Sequence, residues 1–337
     1  MREVRTLTVP GNARPWLDAG VTLAEGDEVT LLASGQVYVS RLLGLSLLPR
    51  VVLWARVGGA NVFRPGSDSA SFRSASHGPL QLATLQGRWA TPRGDHPAPQ
   101  AYDAIEGALE VTVVRWATAA SVGVAALAAF APDDPLIAGE HARIRAARVL
   151  PRGFEPLWWV GSGDNFAEVT LDGAPAIALR SELNGGILRA PIDLPLAAGI
   201  TVDWEWRVNQ LPSVRAEDNA LSHQYASLAV ELDDGQDLSW YWSATLAPEH
   251  HYRCPFPSWP GETHLVVRSG DADQGRWVRE RRDVAKDVAA ALVKEPARIT
   301  GIWLIASTMF GTRPASVDFR RIVVTDAQGT RHVIGGA

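Results

Sequence analysis

Residues 202–208 read VDWEWRV, and this stretch decides the expected fold. Apolar and charged residues alternate along it, which is the period of a β-strand with one buried face and one polar face. The alternation places both tryptophans on one face and Asp203, Glu205 and Arg207 on the other. Because large rings suit a thick core between two sheets, the stretch predicts a β-sandwich.

Short strand-like runs recur on both sides of this stretch, separated by the glycine and proline clusters that indicate turns between antiparallel strands. Short strands at this spacing predict a mainly β fold class with sandwich or jelly-roll-like architecture. The runs lie at residues 29–33, 51–57, 80–84 and 109–114 in the first part, and at residues 168–171, 176–181, 201–208, 227–232, 238–246, 277–280, 301–306 and 316–324 in the second.

The length of 337 residues predicts two domains, because a single hydrophobic core stops growing at about 250–300 residues. We expect a first β-sandwich over residues 1–130, a partly helical linker over residues 131–150 and a jelly-roll-like second sandwich over residues 151–337. The linker prediction rests on AGEHARIRAARV at residues 138–149, where apolar residues fall at helical spacing before a proline.

One more short helix is expected inside the second domain. Residues 283–293 read DVAKDVAAALV and begin with Asp283, which can cap a helix, while Pro296 lies beyond the end. The small apolar stretch at residues 117–130 fits either a strand extension or a short helix. The expected fold is therefore two tandem β-sandwiches with a short connecting helix and one short helix in the second.

Charge and composition exclude several classes of protein. The formal net charge is -5 and the 32 Lys and Arg residues are scattered, so we expect no nucleic-acid partner. No segment reaches about 18 consecutive apolar residues and the N-terminus lacks a signal-peptide pattern, so no membrane span is expected. The single cysteine, Cys254, excludes an internal disulfide, and we expect a cytoplasmic protein.

Three stretches of the first part carry a family resemblance. AEGDEVTLLASG at residues 24–35 has a Gly-Asp turn feeding a strand, LWARVGG at residues 53–59 ends in a glycine turn, and AYDAIEGALEVTV at residues 101–113 leads into a further strand. Together they resemble the galactose-binding bacterial lectin family known as PA-IL, over residues 1–115. The resemblance implies a β-sandwich that recognises sugars.

The same resemblance implies a calcium site. In that family the loop before the last strand supplies calcium ligands from a Tyr or Asp and from paired Asn residues, and the calcium holds two sugar hydroxyls. The matching loop here offers Tyr102, Asp103 and Glu106 but lacks the paired Asn residues. Calcium takes six to eight oxygen ligands, and the alternative is that Asp103 and Gly107 only shape a turn. We expect no cofactor, with calcium as the alternative.

Five motifs follow one another in the second part: WEWRV at residues 204–208, Glu217-Asp218 before ASLAVEL at residues 226–232, WYW at residues 240–242, RWVRERRDVAKDV at residues 276–288 and GIWLIAST at residues 301–308. In this order they resemble a bacterial family known only as a domain of unknown function, number three thousand and forty-seven. The resemblance runs from Phe154 to Val324 and implies a sandwich but no activity.

Several acid–base side chains are expected near one another in the second domain. His223 and Tyr225 share one face at the start of a predicted strand, where a histidine can take a proton and a tyrosine can protonate a leaving oxygen. The charged face of residues 202–208 adds carboxylates, for which the alternative is a cross-strand ion pair. The expected catalytic residues are His223, Tyr225, Tyr241, Asp218 and Glu205.

The segment HHYRCPFPSWPGETH at residues 250–264 has the most unusual composition in the chain. A zinc site would use His250 or His251 with Cys254 and His264, although this spacing matches no familiar ligand pattern. Its prolines favour a stiff loop over one end of the sandwich, with aromatic side chains forming a wall for a ligand. The expected ligand-binding residues are Arg207, Trp242, His251, Tyr252 and Trp259.

These features support two rival functions. The first is a carbohydrate-recognising or small-ligand-binding protein, motivated by the lectin-like first part and by 13 tryptophans, whose rings stack on sugars or fill cores. The rival is an enzyme of lyase, dehydratase or hydrolase type that uses the acid–base residues of the second domain. The leucine-rich insertion Arg41–Pro49 offers an apolar contact for a homo-oligomer or an apolar ligand.

Overall fold

The computed structural model shows a mainly β protein, which confirms the predicted fold class. It describes residues 1–85, 87–96, 99–294, 296–311 and 313–335. The strands within these residues form four sheets, two in each of two compact units. The first unit comprises Met1–Arg148 and Trp158–Ser162, and the second comprises Val149–Leu157 and Gly163–Ala337.

The strands of the first unit are β1 (Glu3–Pro10), β2 (Leu17–Leu23), β3 (Glu28–Ser40), β4 (Leu45–Leu47), β5 (Leu53–Val57), β6 (Ser69–Arg73), β7 (Gly78–Thr84) and β8 (Glu106–Arg115). One sheet has the order β1-β8-β3-β4, with β6 also paired to β3, and the other has the order β2-β7-β5. All of these pairs are antiparallel, as short turn-linked strands predict.

The helices of the first unit are α1 (Pro49–Val52), α2 (Ala120–Phe130), α3 (Pro135–Ala146) and a 3-10 helix at Pro99–Ala104. The small apolar stretch at residues 117–130 is thus mostly helix. Asp134 caps α3 by accepting hydrogen bonds from the backbone N–H groups of Leu136 and Ile137. This helix occupies much of the segment predicted to connect the domains, and it lies within the first unit.

The leucine-rich insertion forms the turn after β3 and then β4. Leu42 and Leu43 are exposed at this turn, whereas Leu47 is buried. Association through Arg41–Pro49 stays a prediction. No helix in the described part of the chain is long and apolar enough to cross a membrane.

The strands of the second unit are β9 (Glu155–Pro156), β10 (Phe166–Leu171), β11 (Ala174–Ser181), β12 (Gly185–Pro195), β13 (Thr201–Gln210), β14 (Tyr225–Leu232), β15 (Asp237–Ser243), β16 (His251–Arg253), β17 (Glu262–Ser269), β18 (Val278–Asp283), β19 (Arg298–Ser307), β20 (Ala315–Thr325) and β21 (Arg331–Val333). A six-stranded sheet has the order β10-β11-β20-β13-β18, with β21 paired to β20. A seven-stranded sheet has the order β16-β17-β15-β14-β19-β12-β9.

One pair in the seven-stranded sheet is parallel. β15 and β17 run in the same direction, with Ser239 opposite His264. A parallel pair needs a crossover connection that returns the chain to the same end of the sheet. Here residues 244–261 make that connection and contribute β16, which pairs antiparallel with β17.

The core of the second unit is built on tryptophans from both sheets. Trp204 and Trp206 of β13 are fully buried, as the alternation predicts. The Trp204 ring stacks on Trp240 of β15 with centroids 5.6 Å apart, and Trp206 lies 5.7 Å from Trp242. Because β13 and β15 belong to different sheets, these ring contacts hold the sandwich together.

Helix α4 and strands β12 and β17 show where local sequence patterns predict an element correctly and where they do not. Helix α4 (Val284–Ala291) forms where expected, and Asp283 accepts a hydrogen bond from the Lys286 N–H as its cap. Strand β12 was not predicted, because its two glycines and two prolines are turn signals in isolation. Strand β17 was not predicted either, because it begins inside the histidine-rich segment taken as a loop.

Replacing Trp204 by alanine should remove the ring that joins the two sheets. We expect the free energy of unfolding of the second unit to fall by about 3–5 kcal/mol, the usual cost of a buried Trp→Ala change. Urea titration followed by circular dichroism measures it. Leu221→Ala is the control, since Leu221 is exposed and its loss should change stability by less than about 0.5 kcal/mol. Equal effects of both changes would contradict this account of the core.

Candidate metal centre

Four potential metal ligands meet at one end of the seven-stranded sheet. His223 lies two residues before the start of β14, and Cys254 follows directly after β16. Glu262 and His264 are the first and third residues of β17, so both side chains point to the same face of that strand. One ligand atom from each of the four lies within 4.8 Å of those from the other three.

Two of the distances inside this cluster suit a tetrahedral ion. The Cys254 Sγ and His223 Nε2 atoms are 3.6 Å apart, and the His264 Nε2 and Glu262 Oε1 atoms are 3.5 Å apart. Zinc bonds of 2.0–2.3 Å at tetrahedral angles separate the ligand atoms by about 3.3–3.8 Å. These two separations lie in that range, and all four ligand atoms lie within 4.8 Å of one another.

His223 is oriented for ligation by its backbone contact. Its Nδ1 atom lies 2.6 Å from the Glu217 carbonyl oxygen, and since a carbonyl only accepts, Nδ1 carries the hydrogen. Burial and the neighbouring His264 lower the pKa of His223 to about 4, so the ring is neutral near pH 7. Its Nε2 lone pair thus faces Cys254, which is the arrangement that metal-ligating histidines use.

Glu262 is held as a carboxylate inside the protein. Burial alone would raise the pKa of its carboxyl group, but His264 and the hydrogen bond from Tyr225 hold that pKa below its ordinary value. The Tyr225 hydroxyl donates to Glu262 Oε1 over 2.6 Å. A buried carboxylate with one oxygen fixed in this way is a ready ligand for a cation.

In the absence of a cation, Cys254 is the least favourable metal ligand of the four side chains. Burial, and then the Glu262 carboxylate, raise the pKa of its thiol. A bound divalent ion reverses this electrostatic situation, because it deprotonates a coordinating thiol. With a thiolate, a carboxylate and two neutral imidazoles, a divalent ion would bring the net charge of the cluster to zero.

Three tyrosines surround the cluster. The Tyr252 ring stacks on His264 with centroids 5.0 Å apart, and its hydroxyl donates to the Tyr241 hydroxyl over 3.1 Å. The Tyr225 ring lies 4.7 Å from His264 and 4.9 Å from His223. The structure thus brings together His223, Tyr225, Tyr241 and Tyr252, four of the residues predicted from the sequence to form a site.

A buried carboxyl group supports the cluster from the side. Both oxygens of Glu217 accept hydrogen bonds, one from the Ser243 hydroxyl and one from the Ala244 N–H. Burial raises the pKa of Glu217 to about 7 despite these bonds. The backbone carbonyl of the same residue, Glu217, orients His223. Glu217 is therefore linked to the cluster through its main chain.

Other predicted residues of the same region lie outside the cluster. His250 and Asp218 are partly exposed and face each other, with His250 Nε2 3.5 Å from an Asp218 oxygen. His251 is exposed on β16, and Trp259 is half-buried in the crossover connection. Cys254 and His264 of the zinc hypothesis are therefore in this cluster, whereas His223 takes the place of His250 or His251.

The predicted residues of β13 and β15 also have other surroundings. Glu205 accepts hydrogen bonds from Arg320 and Arg321 on the six-stranded sheet, which is the cross-strand ion pair given as its alternative. Arg207 donates to the fully buried Asp318. Trp242 packs in the core.

The loop of the first unit expected to bind calcium has protein partners for all three side chains. The Tyr102 hydroxyl is buried and donates to the Thr84 carbonyl oxygen over 2.6 Å. Asp103 accepts two hydrogen bonds from Arg14 at one oxygen and a third at the other, and Glu106 pairs with Arg41. Calcium binding there stays a prediction, and it would have to displace these ion pairs.

The family model described as "Protein of unknown function (DUF3047)" matches residues 161–323, which confirms the resemblance of the second part. No curated protein matches the chain. The family description assigns no activity, so the function of this part has to be argued from its side chains.

Three solved structures with low identity are similar to portions of this chain. The EclA N-terminal domain, a PllA-like lectin, has 20% identity to this chain and a TM-score of 0.28, over 33% of this chain and 96% of that one. The xyloglucanase domain of NopAA from Sinorhizobium fredii, in complex with cellobiose, has 8% identity and a TM-score of 0.34, over 53% and 97%. The family 11 xylanase from Neocallimastix patriciarum has 10% identity and a TM-score of 0.28, over 53% and 98%. Structural similarities with these identities and TM-scores do not indicate a function for this chain.

Glu262 is the member of the cluster that the sequence patterns do not identify. It was treated as part of a loop, although Glu262 and His264 are spaced by two residues before an apolar run, LVV. That spacing puts both side chains on one face of a strand, which is the signal that was available. The pairing with His223 and Cys254 depends on the crossover and has no local signal.

Glu205→Gln tests the structural role of the Glu205 ion pairs. Burial alone would raise the pKa of Glu205, but Arg320 and Arg321 outweigh burial and hold it below its ordinary value. The pairs should therefore stabilise the fold above the unfolded pKa of about 4.3, and this contribution should be lost as pH falls through the folded pKa. At pH 7 we expect the variant to lose about 1–3 kcal/mol, and at low pH to approach the wild type, in urea titrations. A constant difference across pH would contradict the role.

Proposed function

We propose that the second unit binds a divalent transition-metal ion of the zinc class through His223, Cys254, Glu262 and His264. The mixture of two imidazoles, one thiolate and one carboxylate matches the nitrogen, sulfur and oxygen ligands of Zn²⁺. Calcium and magnesium prefer all-oxygen sites and fit this set poorly.

The observation that carries the proposal is the state of His264. This side chain is fully buried, and Nδ1 has no hydrogen-bond partner among the residues that the structure describes. Nε2 lies 3.5 Å from the Glu262 carboxylate and makes no hydrogen bond to any described residue. Leaving a buried polar group unsatisfied costs about 1–3 kcal/mol, so native proteins rarely do so without a reason. A metal ion bonded to Nε2, which faces Glu262, supplies that reason.

The rival acid–base hypothesis makes a different demand on the same atoms. Proton abstraction by His223 needs a free Nε2 lone pair, whereas metal binding uses that lone pair. Nε2 faces the Cys254 sulfur, which favours coordination over access to a substrate proton. Catalysis by Tyr225, Tyr241, Asp218 or Glu205 and sugar recognition by the first unit both stay predictions.

Metal content is the direct test. Protein purified without chelators should contain a single zinc-class ion per chain, measured by inductively coupled plasma mass spectrometry. His264→Ala and Cys254→Ser should each lose most of it, because each removes one of four ligands. His251→Ala is the matched control, since His251 is exposed on β16 next to the cluster, and it should keep its metal.

Cobalt substitution keeps this test informative if a variant folds poorly. The Co²⁺ form of the wild type should show a thiolate-to-cobalt absorption band in the near ultraviolet, and Cys254→Ser should lack it while retaining native circular dichroism. Wild-type protein without bound metal would contradict the proposal. An equal metal content per chain in the His264→Ala and His251→Ala variants would also contradict it.

Removing the ion should destabilise the second unit. A ligand that binds only the folded state, at roughly 100 to 1,000 times its Kd, stabilises that state by about 2.7 to 4.1 kcal/mol. We therefore expect a chelator to lower the free energy of unfolding by this amount in the wild type. The His264→Ala variant should respond much less, and an equal response in both proteins would contradict a metal at this cluster. Denaturation curves with and without EDTA measure the difference.

A further inference from the structure

Tyr225 contacts three of the four side chains of the cluster. Its ring centroid lies 4.9 Å from that of His223 and 4.7 Å from that of His264. Its hydroxyl donates a hydrogen bond to Glu262 Oε1 over 2.6 Å. Tyr225 therefore touches both imidazoles with its ring and the carboxylate with its hydroxyl.

The sheet fixes the position of Tyr225 without help from an ion. Tyr225 is the first residue of β14, an interior strand of the seven-stranded sheet that pairs with β15 and β19. Its backbone lies opposite Ser307 of β19, and its ring packs edge-on against Tyr241 of β15, with centroids 5.9 Å apart. The residue is only 4% exposed, so close packing holds its side chain in place. The hydroxyl is therefore already in position before an ion arrives.

One oxygen of Glu262 meets both the tyrosine and the expected ion. Oε1 accepts the Tyr225 hydrogen bond and lies 3.5 Å from His264 Nε2. That separation falls within the range of about 3.3–3.8 Å expected for two ligand atoms of one zinc ion. A carboxylate oxygen has two lone pairs, so Oε1 can accept the hydroxyl hydrogen with one and bind the ion with the other.

A glutamate ligand needs such a restraint because its carboxylate turns easily. The terminal torsion of a Glu side chain is broad, and ligating carboxylates are accordingly held by hydrogen bonds, as ligating histidines are. His223 has its partner in the Glu217 carbonyl, a main-chain group that substitution does not remove. The partner of Glu262 is the Tyr225 side chain, so a single substitution can delete it.

We propose that Tyr225 is a positioning residue of the metal site, whose hydroxyl holds Glu262 Oε1 toward the ion and thereby strengthens zinc binding. This inference rests on the proposed metal site and extends it to a residue that does not itself bind the ion. Loss of such an outer partner typically lowers metal affinity by about 10- to 100-fold. Tyr225→Phe should weaken zinc binding to the same extent.

The experiment measures zinc affinity in the whole chain, by competition with a chromophoric chelator. Tyr225→Phe removes the hydroxyl and keeps the ring beside the two imidazoles, and we expect its zinc affinity to fall by about 10- to 100-fold. In the Co²⁺ form of this variant the thiolate-to-cobalt band should persist, because Cys254 remains a ligand. Loss of that band would contradict a role that acts through Glu262 alone.

Tyr252→Phe is the matched control. The Tyr252 ring also packs on His264, with centroids 5.0 Å apart, and its hydroxyl is also hydrogen-bonded, but to the Tyr241 hydroxyl rather than to a metal ligand. The two variants thus remove the same atom from tyrosines that contact the same imidazole. Tyr252→Phe should leave zinc affinity unchanged, and an affinity loss equal to that of Tyr225→Phe would refute the positioning role.

A double-mutant cycle identifies the group through which Tyr225 acts. In a Glu262→Ala background the hydroxyl has no carboxylate to hold, so adding Tyr225→Phe should not weaken zinc binding further. A general structural contribution of Tyr225 would instead lower the affinity by the same factor in both backgrounds.

The outcomes separate the two proposals. Wild-type protein that binds no zinc refutes the metal site, and the role of Tyr225 with it. Wild-type protein that binds zinc, together with an unchanged affinity in Tyr225→Phe, refutes the role of Tyr225 and leaves the metal site standing. An equal loss of affinity in both backgrounds of the cycle does the same.

Discussion

The second unit depends on the stacking of indole rings between its two sheets. Trp204 and Trp240 come from strands that are far apart in the chain and lie in different sheets, so neither sheet can bury its apolar face without the other. This contact fixes which face of each strand points inward. In β14, β15 and β17 the opposite face is thereby left to polar side chains, and there the histidines and tyrosines of the site are gathered.

The fold was predictable wherever a local pattern carried it. The alternation of residues 202–208 identified β13 and its buried rings, and Asp283 marked the start of α4. Prediction failed at β12, whose glycines and prolines lie in a strand that pairs with β9 and β19. It also failed at β17, whose first residues are polar. In both cases the tertiary environment, rather than the local sequence, determines the strand.

The candidate site was predictable only in part, for a related reason. His223, Tyr225, Tyr241 and Tyr252 were identified from their residue types and faces. The zinc hypothesis named Cys254 and His264 correctly as members of the cluster but joined them with His250 or His251, the histidines nearest to Cys254 in sequence. The cluster instead joins residues separated by as many as 41 positions, from His223 to His264. The pairing of β14 with β15, of β15 with β17 and of β16 with β17 brings them together, and no local spacing encodes these pairings.

The parallel pairing of β15 and β17 has a kinetic consequence. Because the crossover must leave β15 and return before β17 can dock, the parallel pairing forms only after this loop has closed. Cys254 lies within this connection, and Glu262 and His264 lie at its end. An ion with full affinity for the cluster would therefore report that the crossover between β15 and β17 has closed.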